Sequence, residues 1–83
     1  MGSYSSEAGL QLDWIADYVL SVVVEQGEVR VSGNSEGLRS LAGHLLVLAQ
    51  EEVPDGVHAH LEPGLELEDG SVALVVEKSK HPV

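Results

Sequence analysis

His58 and His60 are the residues whose type and spacing come nearest to chemistry. The run Val57-His58-Ala59-His60-Leu61-Glu62 alternates apolar and polar residues. On a β-strand that alternation sends Val57, Ala59 and Leu61 to one side and His58, His60 and Glu62 to the other. Two imidazoles and a carboxylate on one face are ligand types for zinc. A third firm ligand is missing and the chain has no cysteine, so the expectation is two exposed strand histidines, with no metal and no cofactor. Residues 33–37, Gly-Asn-Ser-Glu-Gly, form a glycine-spaced turn before a helix, where free N–H groups can hold a phosphate. No lysine follows as it does in a P-loop, and Glu36 repels an anion, so this stretch reads as a helix cap. The serines fall in turns or on surfaces, and nothing pairs one with a histidine as nucleophile and base. The chain is not expected to be an enzyme.

The acidic residues say more as a set. Glu51, Glu52 and Asp55 sit where the helix ends, and each costs about 0.3–1 kcal/mol against the negative end of the helix dipole. Glu62, Glu66, Glu68 and Asp69 crowd the next loop without the Asp-x-Asp-x-Asp-Gly spacing of a calcium loop. In all there are 14 acidic against 4 basic residues, a formal net charge of -10. Such a surface repels nucleic acid and anionic membranes and complements a basic partner. The expected binding residues are therefore Glu51, Glu52, Asp55, His58, His60, Glu62, Glu66, Glu68 and Asp69. Solvated loops that only keep a small domain soluble are the plainer reading of the same charges.

Residues 33–52 carry the clearest helical period. Leu38, Leu41, Ala42, Leu45, Leu48 and Ala49 recur at the spacing of one buried stripe. Asn34 or Ser35 supplies the cap, Val53-Pro54-Asp55-Gly56 the stop, and His44 falls off the stripe as a solvated residue. Before the helix, residues 17–25 and 29–32 read as strands joined through Gln26-Gly27-Glu28, with Tyr18, Leu20, Val22 and Val24 on the inner face. After it come strands over residues 57–62 and 71–78, the latter with Val72, Leu74 and Val76 inward. The order β-β-α-β-β predicts an α+β two-layer sandwich, one amphipathic helix on a four-stranded sheet, with strand order 2-1-4-3 so that the polar strands lie at the edges. Residues 1–12 are expected to be loosely ordered, 13–79 to form a single domain, and 80–83 to be a tail. Val19, Val23 and Val75 would leave an apolar outer face suited to a homodimer. No secretory signal or membrane span is visible, so the expected location is cytoplasmic. The opening Met-Gly-Ser-Tyr-Ser-Ser formally fits an N-myristoylation pattern but lacks a basic flank, and reads as a tail.

Gly33-Asn34 followed by Gly37-Leu38, then Leu41-Ala42, Leu45 and Leu48-Ala49, then His58-x-His60-Leu61-Glu62, then Gly70-Ser71 and Leu74-Val75-Val76-Glu77-Lys78 resemble the immunity protein thirty-two family of bacterial polymorphic toxin systems. The resemblance spans residues 33–78. It implies a small cytoplasmic antidote that binds and blocks a cognate toxin without catalysis. Two other functions remain open on the residues themselves: a small metal- or ligand-binding module on the face around His58 and His60, and a self-associating structural protein.

Overall fold

Asn34 begins the helix and ties three segments together. Helix α1 spans Ser35–Leu48, with Asn34 as N-cap and Ala49 as C-cap. The Asn34 side-chain oxygen accepts from Gly37 N (2.8 Å) and Val19 N (2.9 Å), while its amide donates to the Asp17 carbonyl (3.0 Å). Asn34 N in turn donates to the Val19 carbonyl at 3.2 Å. A Cβ at Gly33 or Gly37 would collide with that same carbonyl oxygen. The glycines before and inside the first turn are thus there for close backbone approach, and the helix N-terminus is occupied by the protein's own chain instead of a phosphate.

The computed structural model describes residues 2–81. Met1, Pro82 and Val83 lie outside the described residues, and with them the start of the myristoylation pattern and the end of the 80–83 tail. Around α1 run β1 (Ser3–Ser5), β2 (Gly9–Gln11), β3 (Leu20–Glu25), β4 (Glu28–Gly33), β5 (His58–Leu61) and β6 (Leu74–Glu77). The protein is α+β. β1 and β2 form a short antiparallel hairpin in a stretch where the sequence pattern predicted no regular element. β3 and β4 form the predicted hairpin, closing on Gln26-Gly27 with Glu25 opposite Glu28. Both turn residues have positive φ (50° and 78°), the geometry whose twist matches that of paired strands.

The strands do not make one four-stranded sheet. β3 pairs only with β4, and β5 only with β6, each in its own two-stranded ladder. The two hairpins still touch: Glu68 N donates to Leu20 O (2.9 Å) and Val72 N to Val22 O (2.8 Å). A regular parallel bridge would give the Val22 N–H to the carbonyl of residue 70. Gly70 instead takes φ 89°, and the Ser71 hydroxyl accepts that bond at 3.1 Å. Contact between the first and last predicted strands is therefore present, but a side chain completes it where a ladder would use backbone.

The helix also buries a different face from the one its leucines suggested. Gly37, Ser40, His44, Val47 and Leu48 are buried, whereas Leu38, Leu45 and Leu46 are 47%, 46% and 59% exposed. Leu41 and Leu48 belong to both possible stripes, which differ by one residue, or about 100° of rotation. The small residues decide between them. Ser40 Oγ accepts from Ile15 N at 2.9 Å, and Gly37 lies under Val19, so residues 13–19 cross the helix on that side. The predicted core role of Leu45 is corrected accordingly. The central apolar cluster is Leu20, Val22, Leu61 and Leu67, with Trp14, Tyr18, Leu41 and Leu74 packed against it.

Candidate functional site

The strand that carries the histidines turns out as its alternation requires. Ala59 and Leu61 are buried, and His58 and His60 are exposed on the opposite face of β5. Their rings meet edge to face with centroids 4.9 Å apart. His58 Nδ1 lies 2.9 Å from the Gly56 carbonyl, which only accepts, so this nitrogen is the donor in the bond. The ladder sets His58 opposite Glu77 and His60 opposite Val75, and directly opposed residues project from the same face. Glu77, which sequence reasoning did not include, therefore shares the outward face. The signal was present in the alternation of residues 74–77, but it needed the register to be read. Among the described residues, no three His, Cys, Asp or Glu side chains already stand together as a metal cage.

The acidic loop after β5 is anchored to the core. Leu67, in its middle, is 2% exposed, and the Tyr18 hydroxyl donates to the Glu66 carbonyl at 2.8 Å. Burial, with the Glu66 and Glu68 charges adding to it, holds the Tyr18 phenol above its ordinary pKa, so it stays a donor. Gly64 N to Leu67 O (2.8 Å) and Leu67 N to Glu62 O (3.0 Å) close the loop on itself. Within this frame the four loop acids are not equivalent. Glu62 and Glu66 are half-buried, the Glu66 carboxylate accepting from Glu62 N at 2.9 Å, whereas Glu68 and Asp69 are exposed.

The other three acids lie at the opposite end of the same hairpin. Glu51, Glu52 and Asp55 are exposed in the connection from α1 to β5. Gly56 N donates to Lys78 O (2.7 Å) and Lys78 N to Val57 O (2.9 Å), joining that connection to the end of β6, and Asp55 Oδ1 accepts from Lys80 N at 2.6 Å. Hairpin β5–β6 thus has one acidic cluster at each end and the exposed histidines between them. A strand of four residues is about 13 Å long, so both clusters fit beneath one partner. A separate cavity of about 300 Å³, lined by Ile15, Arg39, Ala42 and Leu46 among others, contains none of these residues.

His44 is the residue whose placement departs furthest from expectation. It is 1% exposed, not solvated, and packs edge-on against Trp14 with centroids 4.3 Å apart, Trp14 itself stacking on Tyr18 at 4.4 Å. Neither ring nitrogen has a hydrogen-bond partner among the described residues. Burial pushes its pKa below the ordinary histidine value, with the Asp13 charge acting in the opposite sense. It is a neutral core residue.

The exposed histidines thus lie on hairpin β5–β6, and the acids lie in the connections at its two ends. Residues 28–79 match the family model for Immunity protein 32, and the chain belongs to that family. The match takes in β4, α1, β5 and β6 and all nine expected binding residues. Among curated proteins and among solved structures, nothing matches the chain. Among the described residues, no helix is long and apolar enough to cross a membrane.

Proposed function

We propose that this protein is a non-catalytic cytoplasmic antidote that neutralises a cognate, basic bacterial toxin through the outward face of β5–β6 and the acidic connections at its two ends. Membership in an immunity-protein family points to an antitoxin role in general. The observation that carries the finer reading is the Glu62-to-Asp69 loop: pinned by the Tyr18, Leu20 and Leu67 contacts, it presents Glu68 and Asp69 to solvent on a fixed backbone. A preorganised acidic surface loses little freedom on binding and attracts a basic partner from a distance. Co-expression of the tagged protein with the product of the adjacent gene tests the reading. The toxin should co-purify at one to one, and a partner that is acidic, or fails to co-purify, would overturn it.

Self-association is favoured by a different observation. Val19 and Val75 are exposed and Val23 half-buried, and the solvent side of α1 adds Leu38, Leu45 and Leu46. Exposed apolar area of this kind is commonly covered by a second subunit or a partner. Sedimentation at increasing concentration distinguishes the two: dimer alone supports self-association, whereas a monomer that becomes a one-to-one complex with toxin supports the antidote.

A further inference from the structure

We propose that the outer edge of β4 joins two copies of this chain in an antiparallel, two-fold strand pair centred on Val29. The inference rests on the self-association reading and names where the copies meet. Glu25 and Glu28 flank the two-residue turn, which makes them a hydrogen-bonded pair. Alternation along an antiparallel ladder then makes Val23–Arg30 and Ser21–Ser32 bonded pairs and Val24–Val29 and Val22–Val31 non-bonded ones. Residues of non-bonded pairs turn their backbone N–H and C=O groups away from the facing strand. β3 follows this rule: Val22 O accepts from Val72 N (2.8 Å), Val22 N donates to Ser71 Oγ (3.1 Å) and Leu20 O accepts from Glu68 N (2.9 Å). On β4 the corresponding groups belong to Val29 and Val31. β4 pairs with β3 alone, and among the described residues nothing occupies them. The strand carries no proline or lysine, the residues that commonly block pairing at an edge.

Charge complementarity identifies the occupant. Glu25 and Glu28 stand directly opposite one another as like charges, and Arg30 reaches Glu25 at 3.5 Å. Glu28 is left without a cation at ion-pair distance among the described residues. Centring the pair on Val29 sets Glu28 opposite Arg30 of the second copy, twice by symmetry, with Cβ atoms about 4.5–5.5 Å apart. Val29 then exchanges both backbone bonds with its own copy, and Val31 faces Gly27, which has no side chain to clash. Centring on Arg30 would oppose two guanidinium groups, and centring on Val31 would run the second strand into Asn34 and Ser35, where α1 begins. The other face of the strand supplies apolar area. Val24, Val29 and Val31 share the face of buried Leu20 and Val22 but are 55%, 64% and 39% exposed, and the pairing continues that core face across both copies. The edge also lies on the far side of β3 from residues 68–72, so two chains of like net charge meet away from the acidic loop.

Sedimentation velocity of the purified, untagged full chain at physiological ionic strength tests the proposal. An interface of this length is below standard size, so wild type should be monomeric at roughly 10 µM and largely dimeric by roughly 1 mM. Glu28→Arg sets base against base at both symmetric contacts, and Arg30→Glu sets acid against acid. Each variant alone should dimerise about tenfold more weakly or worse, whereas an equimolar mixture of the two restores opposite charges at both contacts and should form a heterodimer. Both positions are exposed, and thermal melts verify that each variant keeps its fold. Val29→Pro removes an outward N–H that the β3–β4 ladder does not use and should also leave a monomer. A dimer unchanged in these variants would overturn the proposed edge while leaving self-association to another face, and weakened variants that fail to pair when mixed would overturn the register. Monomer alone up to roughly 1 mM would overturn the self-association reading as well; loss of toxin binding by the same variants would then assign the edge to the toxin.

Discussion

Replacing His44 with leucine separates the effect of its charge from that of its packing. The folded protein holds the imidazole at 1% exposure with neither nitrogen bonded among the described residues, and its pKa lies below the ordinary value because burial disfavours the cation, the nearby Asp13 charge only partly opposing this. In the unfolded chain the group titrates near 6.5. Between the folded and unfolded values the unfolded state binds a proton that the folded state refuses, so stability rises with pH across that window and falls as pH is lowered. Above the unfolded value both states are neutral and His44 contributes no pH dependence. Lowering the pH from 7.5 to 5.5 therefore costs stability through this residue. His44→Leu keeps a similar volume, cannot titrate, and replaces two unpartnered nitrogens that together oppose folding by a few kcal/mol with methyl groups, against a lost ring contact worth about 1 kcal/mol. The variant should therefore be at least as stable as wild type at pH 7.5. Urea unfolding followed by Trp14 fluorescence at both pH values should show wild type losing more stability than the variant as the pH is lowered. Equal losses in the two proteins, or a variant destabilised by several kcal/mol at pH 7.5, would refute the buried, neutral assignment.

Gly37→Ala should cost several kcal/mol or prevent folding, because the new methyl group meets the Val19 carbonyl that Asn34 holds in place; thermal melting reads this directly. Leu45→Ala should cost less than about 1 kcal/mol in the same assay, since the side chain is half in water. A loss of the 2–5 kcal/mol typical of a core leucine would mean that the helix is rotated. Gln26→Asn should stabilise by a few tenths of a kcal/mol, because position 26 has φ 50° and asparagine tolerates it better; chemical denaturation is sensitive enough to detect it.

The parts of the fold set by local rules were legible in the sequence. A marked cap and stop placed the helix, Gln26-Gly27 placed the β3–β4 hairpin, and strict alternation turned His58 and His60 outward. The buried face of the helix was not legible, because two stripes share Leu41 and Leu48 and the choice is made by residues 13–19 docking on Gly37 and Ser40, a tertiary event with no period of its own. For the same reason His44 read as solvated: its cover is Trp14, thirty positions away. Leu67 was hidden among acids, and the hydrogen bonds from Glu68 N to Leu20 O and from the Tyr18 hydroxyl to Glu66 O draw that loop over the core. β1 and β2, three residues each, are too short to show alternation. Of the candidate site, the identity and exposure of the histidines and most of the acids could be read in advance. The half-burial of Glu62 and Glu66 and the presence of Glu77 on the same face required the loop closure and the β5–β6 register.

If the acidic loop after β5 draws in a basic toxin, the association rate must depend on the loop's charges. Stopped-flow binding to the adjacent gene's product would be measured across ionic strength for wild type and for Glu62→Gln/Glu66→Gln/Glu68→Gln/Asp69→Asn. The amide at position 66 can still accept from residue 62, so the loop should keep its shape while losing four charges. Wild type should associate fastest at low salt and slow steeply as salt is added, and the variant should be about tenfold slower or more at low salt with a much flatter dependence. An association rate that does not depend on ionic strength, or one that is the same for both proteins, would mean that the loop's charges do not draw in the partner.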